Sequence, residues 1–452
     1  MNRRVLNPAW KNVAAAGAAS LLWHCTSDTP EPGAMGLPEG ALPSSMIAPN
    51  EPAPMTEEPS EPLAPTTPGS EGNPLVDGNV STPPPLTAEP SPAETPPMMM
   101  PPAELPVPQP PAFAGSFILG ADISSVQEAA GAGTVFVDTD GAEKSMVALL
   151  KNHGFNYVRL RTFVDPAAAY GYASGDGCQA KREAYNDRDH TLAFAREVKA
   201  AGMGLLLDFH YSDTWADPGK QLIPEAWRGA ASVAELAQRV QDYTLDVLGT
   251  LVAAGARPDL VQVGNEITPG MLIHVPSATT DCYGNNAVVN PVNGSAGNWD
   301  NLATLLRAGI GAVRQVDATL PVMLHIENFE STRGVADWVQ NAETRGVQFD
   351  VLGLSAYEEF QGPVSAWRGT VQALSTQFPE LSFAIAEYNP QRRLLNDLMR
   401  ELPDGRGLGT FFWEPTQSGS WGNAMFDWQG NRATARAADF AEYDQLRADF
   451  AL

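Results

Sequence analysis

Cysteine is scarce, with three in 452 residues. No cysteine pairs with any of the six scattered histidines at zinc-site spacing, and no HExxH segment occurs, so no metal motif can be read. GxSxG, GxGxxG and Walker A segments are also missing, which removes the common routes to a serine hydrolase, a dinucleotide enzyme or a P-loop NTPase. Basic runs are lacking too. Lys and Arg number 28 against 53 Asp and Glu, for a net charge of −25, which is a poor match to nucleic acid or any anionic polymer. No repeat of 20–50 residues is present, which argues against a solenoid or propeller.

The absences are deepest between Thr26 and Ala112. This stretch has no Phe, Trp, Tyr, Lys or Arg, yet it holds 25 of the 39 prolines and 12 of the acidic residues. It cannot bury enough apolar surface to offset chain entropy, so residues 26–112 are expected to be a disordered, acidic, Pro-rich linker. Before it, Met1-Asn2-Arg3-Arg4 is basic and Val13 to Leu22 is a short apolar run, the pattern of a secretory signal peptide over 1–25. The Leu22-Trp23-His24-Cys25 ending resembles a lipoprotein cleavage site, so a lipid anchor through Cys25 and plain export with an incidental cysteine both stay open. Either way the chain is expected to be secreted or held at a bacterial cell surface.

From residue 113 to 452 the texture changes, and the length suits one large domain. Short apolar runs alternate with amphipathic stretches. Strands are expected at Phe117–Asp122, Tyr157–Arg161, Met203–His210, from Val261, and at Pro321–Ile326, Phe349–Ser355, Leu381–Glu387 and Leu408–Trp413. Helices are expected at Glu143–Asn152, Asp189–Ala201, Val233–Ala254, Trp299–Val316, Val335–Gly346, Val364–Phe378 and Arg392–Leu402, with a closing helix around Thr434–Asp449. Eight strands, each followed by a helix or long loop, spell a parallel (β/α)8 TIM barrel of α/β class. The residues that break the apolar runs fall at strand C-termini, the rim where such barrels work: Asp122, Arg161, His210, Asn265, Glu266, Tyr357, Glu387 and Trp413.

Two of these are carboxylates at the ends of the fourth and seventh strands, Glu266 and Glu387. A facing pair about 5–5.5 Å apart suits retaining glycoside hydrolysis, with one acid kept protonated and the other ionised. Asn265 can bond a sugar hydroxyl beside the reacting carbon. The polar, aromatic run Asp208 to Pro218 is poor core material and reads as a sugar-binding wall, with His210 reaching the reactive sugar and Trp215 stacking on a ring. Trp413 ends the eighth strand and suits a platform, whereas Trp421 and Trp428 suit packing of the C-terminal loop. Cys178 and Cys282 both fall in loops after strands, where export would let them form a disulfide or leave them as free thiols.

Together these residues resemble the endo-β-1,4-galactanases of glycoside hydrolase family 53, which act on arabinogalactan. The matching text is Gly120-Ala121-Asp122-Ile123-Ser124-Ser125, Leu206 to Gly219 with its DFHYSDTWADPG run, Val261-Gln262-Val263-Gly264-Asn265-Glu266-Ile267, Gly297-Asn298-Trp299-Asp300-Asn301-Leu302, and Gly405 to Gly409 leading into Phe412-Trp413-Glu414-Pro415. The resemblance implies a retaining mechanism with Glu266 as acid/base and Glu387 as nucleophile. Asp122, Arg161, His210, Asn265 and Tyr357 would surround the reacting sugar, Arg161 and Tyr357 nearest the nucleophile, and Trp299 and Trp413 would stack on sugars. Arg159 lies two residues from Arg161 on the same face. The resemblance implies that no cofactor is required; a structural calcium stays open, though the short Tyr388-Asn389-Pro390-Gln391 passage after Glu387 does not indicate one. The expected partner is a galactan polysaccharide, with no nucleic acid and a monomeric chain. A related barrel hydrolase acting on mannan or cellulose, and a surface protein that binds sugar without turnover, stay open as alternatives.

Overall fold

The computed structural model describes residues 115–174, 183–276, 287–416 and 425–452. The segments expected to be a signal peptide and a linker, together with Cys25, Cys178, Cys282 and Trp421, lie outside the described residues. The eight expected strands are β1 (Ile118–Asp122), β2 (Tyr157–Thr162), β3 (Gly204–Phe209), β4 (Leu260–Val263), β5 (Val322–Ile326), β6 (Val351–Ala356), β7 (Ser382–Tyr388) and β8 (Gly407–Trp413). All neighbours pair in parallel, and β1 bonds both β2 and β8, closing the barrel. The helices α1 (Met146–Asn152), α2 (Arg188–Ala200), α3 (Val233–Ala253), α4 (Trp299–Val316), α5 (Thr332–Glu343), α6 (Val364–Gln377), α7 (Arg392–Arg400) and α8 (Ala437–Phe450) complete the (β/α)8 pattern.

Each strand is buried on both faces, which is why its sequence is nearly continuous in apolar residues. One face feeds a large core between strands and helices. The other fills the barrel with Ile118, Tyr157, Leu206, Leu260, Met323, Val351, Ala384, Ala386, Leu408 and Phe411. Aromatic rings reach the axis because small residues make room for them. A Cβ on Gly204 would stand 2.3 Å from the Tyr157 ring, and one on Gly120 would stand 2.4 Å from Phe411. Helix starts are set by side chains that satisfy free backbone N–H groups: Asp187 accepts from His190 N at 2.8 Å to open α2, and Ser331 accepts from Gly334 N at 3.0 Å to open α5.

Two features depart from the sequence expectation. After β1 the chain forms a short helix, Val126–Gly131, and a strand, Val135–Val137, which pairs with Arg432–Ala435. That segment also forms a hairpin with Phe426–Gln429, so the closing helix begins at Ala437 rather than near Thr434. The alternation Arg432-Ala433-Thr434-Ala435, with Ala433 and Ala435 buried, has the period of a strand. Trp428 packs in this hairpin and donates from Nε1 to the Thr416 carbonyl at 3.1 Å.

Candidate active site

The inward face of each strand carries its pattern up to the barrel mouth. Residues that fill the barrel are followed two and four positions later by polar ones: Tyr157 by Arg159 and Arg161, Leu206 by Asp208 and His210, Met323 by His325 and Glu327; on β6 the same face runs from Val351 through Gly353 to Ser355 and Tyr357, four and six positions on. Strand β7 breaks this rule. Its register against β6 slips by one residue, so that Leu354 faces Ile385 but Ser355 faces Glu387. A strict alternation with Ala384 and Ala386 would turn Glu387 outward. The bulge turns it into the mouth instead.

Arg159 lies at the centre of the mouth. Its Nη1 donates to Asp122 Oδ2 at 2.9 Å and to Glu387 Oε1 at 2.8 Å, and its Nη2 donates to Asp208 Oδ2 at 2.8 Å and Asn265 Oδ1 at 2.7 Å. Its Nε donates to Gln262 Oε1 at 3.2 Å. Tyr357 completes the Glu387 environment, its hydroxyl donating to Oε2 at 3.1 Å. Glu266 follows β4 in a left-handed backbone conformation, φ 47°, which costs a residue with a side chain about 1–3 kcal/mol and marks a site where the surroundings hold it. It is half-buried and meets Ser355 Oγ at 2.6 Å.

The two carboxyls differ in environment. Burial raises Glu387, but Arg159 opposes it, leaving the group at about 7. Burial raises Glu266 as well, and there the nearby charges of Glu387 and Glu327 add to the rise, so it stands well above the usual carboxylate range. With a guanidinium and a phenol donating to Glu387, that group ionises first, and its charge then holds the proton on Glu266.

The other expected site residues are placed as follows. Asp122 is held by Arg159 and by Ser124. His210 sits at the mouth with both nitrogens engaged: Nδ1 accepts from Ala216 N at 2.9 Å and Nε2 lies 3.1 Å from Asp208. Burial lowers its pKa, so the ring is neutral with its proton on Nε2. Arg161 does not touch Glu387. Its Nη1 donates to Glu414 at 2.7 Å, and its guanidinium carbon lies 3.7 Å from the centre of the Trp215 ring. Arg159 takes the place beside Glu387 that was expected for Arg161, because one turn of the strand alternation sets it deeper in the barrel. Trp215 and Trp413 are both half-buried, with centroids 6.2 Å apart, and form one aromatic wall. Trp299 opens α4 and packs edge-on against Trp338 at 5.2 Å.

Several residues of the mouth were not anticipated. Gln262 donates to Asp208 Oδ1 at 2.6 Å, and Ser355 stands between Glu266 and His325, at 2.6 and 2.9 Å. Glu327 is buried; Thr268 donates to its Oε2 at 2.6 Å, while Oε1 has no hydrogen-bond partner among the described residues. Glu414 is buried with φ 45° and is raised to about 7 by burial, against the pull of Arg161. The signal was present: each of Gln262, His325 and Ser355 is a polar residue inside an otherwise apolar strand. Among the described residues, no group of three or more His, Cys, Asp or Glu could hold a metal ion.

Two carboxyls whose charges act on one another, with aromatic side chains on the same rim of a (β/α)8 barrel, form the arrangement of a glycoside hydrolase. The model of glycosyl hydrolase family 53 matches residues 118–394, and the chain belongs to that family. An uncharacterised protein encoded upstream of bgaB in Niallia circulans is 32% identical over 72% of this chain and 93% of its own. The endo-β-1,4-galactanase of Bacillus subtilis is 32% identical over 66% of this chain and 70% of its own, and the arabinogalactan endo-β-1,4-galactanase of Humicola insolens is 28% identical over 66% and 88%. Among solved structures, a fungal β-1,4-galactanase superposes with a TM-score of 0.59 at 26% identity, covering 72% of this chain and 98% of that one. The family 53 catalytic domain of Ignisphaera aggregans gives 0.61 at 26%, covering 75% and 98%.

Proposed function

We propose that this chain is an endo-acting, retaining hydrolase of β-1,4-linked galactan, the side-chain polymer of type I arabinogalactan in pectin. One observation carries the mechanism: Glu387 is gripped by Arg159 and Tyr357, while the Glu266 carboxyl, on which the Glu387 charge acts, meets among the described residues the single hydroxyl of Ser355. Glu387 attacks the anomeric carbon as a carboxylate, and Glu266 protonates the departing glycosidic oxygen. Glu266 then takes a proton from water, which releases the sugar from Glu387 with its β configuration restored. Asp122, His210 and Asn265 border the reacting sugar, and Trp215, Trp413 and Trp299 stack on sugars further along the chain. This chemistry calls for no cofactor.

The substrate reading is supported by the galactanases among the relatives. The chain acts as a monomer outside the cell, free or tethered through Cys25, with the Pro-rich segment as spacer. Mass spectrometry of the native N-terminus separates the free and lipidated forms.

Incubation with linear β-1,4-galactan, followed by proton NMR of fresh product, tests the activity. Short galacto-oligosaccharides with the β-anomer appearing first are expected. Cleavage of mannan or cellulose in preference to galactan would reject the substrate, and an α-anomer would reject retention.

A further inference from the structure

Beneath Glu266 runs a chain of hydrogen bonds whose direction can be worked out. Ser355 Oγ lies 2.6 Å from Glu266 Oε1 and 2.9 Å from His325 Nε2. A serine hydroxyl has one proton, so it donates to only one of these two. The far side of the imidazole decides which. His325 Nδ1 stands 2.8 Å from Asn265 Oδ1.

The Asn265 amide cannot be turned round. Its Nδ2 donates to the Ala216 carbonyl at 2.9 Å, and its Oδ1 accepts from Arg159 Nη2 at 2.7 Å. Oδ1 is therefore an acceptor, and the proton in the 2.8 Å contact belongs to His325 Nδ1. Gln262 Nε2 approaches the same nitrogen only to 3.3 Å, and its protons have Asp208 Oδ1 at 2.6 Å and the Gly264 carbonyl at 3.1 Å to meet.

His325 is fully buried, and burial together with the nearby Arg159 charge keeps it neutral. With its proton on Nδ1, Nε2 is a bare acceptor. The Ser355 hydroxyl donates there, and its oxygen is left to accept. The 2.6 Å contact with Glu266 then needs a proton from the carboxyl.

We infer that His325 and Ser355 are positioning residues that hold Glu266 in its protonated form before reaction, through the ordered chain Glu266, Ser355, His325, Asn265. Ionised Glu266 can draw the Ser355 hydroxyl towards itself only by leaving His325 Nε2 without a donor. The chain thus favours the acid form beyond what burial and neighbouring charge achieve. This deepens the reading of Glu266 as the acid/base and rests on it.

The groups facing Glu266 are Glu387 from β7, Glu327 just after β5, Asp217 from the loop after β3, and Ser355 from β6. Those facing His325 are Arg159 and His210. All except Ser355 itself are retained in Ser355→Ala, so a shift in that variant reports the chain alone.

Nitrogen-15 NMR of the histidine-labelled full chain locates the His325 proton without any substrate, the signal being assigned by its loss in His325→Phe. Nδ1–H is expected in the wild type, and also in Glu266→Gln, whose amide can donate to Ser355 in place of the acid. Ser355→Ala should move the alkaline limb of kcat/KM on galactan down by about one pH unit. His325→Phe should move it the same way, and the double variant no further. A merely structural role would lower the rate evenly at all pH and leave the limb in place. A proton found on Nε2, or an alkaline limb that stays put or moves up in Ser355→Ala, overturns the inference. Failure of the wild type to cleave galactan would reject the substrate reading, while the NMR result would still stand for or against the chain.

Discussion

Arg159 and Arg161 stand two residues apart on β2, share its inward face and are each 1% exposed. Their guanidinium groups meet different surroundings. All three nitrogens of Arg159 donate to side chains, namely Asp122, Glu387, Asp208, Asn265 and Gln262. Arg161 has the single carboxylate Glu414 in hydrogen-bond contact, and its Nε and Nη2 have no hydrogen-bond partner among the described residues. Beyond that it has Asp122 Oδ1 at 3.7 Å, too far for a hydrogen bond, and the face of Trp215. Equal charge and equal burial therefore serve two ends. One arginine fixes the carboxylates where bonds change, and the other backs a ring that a sugar can cover. A cation over an indole is held loosely, by about 0.5–2 kcal/mol. A buried cation in a fan of carboxylates is held by its whole surroundings.

The sharpest way to break the comparison is at Arg159. Lysine keeps the charge but cannot fork between Glu387, Asp122, Asp208 and Asn265 at once. Arg159→Lys is expected to lower kcat on galactan by about 10³-fold, the middle of the range for losing a well-placed general acid–base group. Arg159→Met leaves Asp122, Asp208 and Glu387 buried without their cation, at a cost of about 3–5 kcal/mol in stability. Steady-state rates and denaturant melts check both. Near-normal turnover in Arg159→Lys would reduce this residue to packing and remove the contrast with its neighbour.

Arg161 should respond differently. Arg161→Lys loses the flat stack on Trp215, and kcat/KM on long galacto-oligosaccharides should fall by about 10-fold. Cleavage of the shortest substrates should change little. Trp215→Ala should show the same dependence on chain length, and the double variant should lose little more than either single one. A loss that is uniform across chain lengths would place Arg161 with Arg159 as part of the reacting centre.

The difference between the two arginines is also a measure of what the sequence could tell. The barrel was legible because a strand buried on both faces must be apolar throughout, and eight such runs were spaced by helices. Glu266 and Glu387 were legible because a charged residue ending an apolar run has few other uses. Depth was not legible. Arg159 and Arg161 have the same period and the same chemistry, and only the assembled barrel shows that it is the deeper of the two that meets Glu387. The bulge in β7 was hidden for a similar reason, since Ala384-Ile385-Ala386-Glu387 alternates as well as any strand and only the pairing with β6 shows the slip. The small sheet joining Val135–Val137 to Arg432–Ala435 was missed because three- and four-residue strands are too short to show a period.

The mildest variant for turnover separates carboxylates that react from carboxylates that are only buried. Glu327 sits one strand from Glu266, is raised to about 8 chiefly by burial, and is bonded through one oxygen to Thr268. A carboxyl whose folded pKa exceeds its unfolded value, about 4.3, binds its proton more tightly when folded. Its contribution to stability is complete below about pH 4.3 and is lost as pH rises towards 8. In Glu327→Gln the amide oxygen can keep the Thr268 bond, and no proton is left to lose. Melts at pH 5 to 8 are expected to show the wild type losing up to about 1.4 kcal/mol per pH unit more than the variant, the slope of a single proton. Turnover near pH 5 should stay within about twofold. Parallel melting curves would mean that Glu327 is ionised in the folded protein, and a large loss of turnover at pH 5 would move it from the wall of the mouth into the reaction.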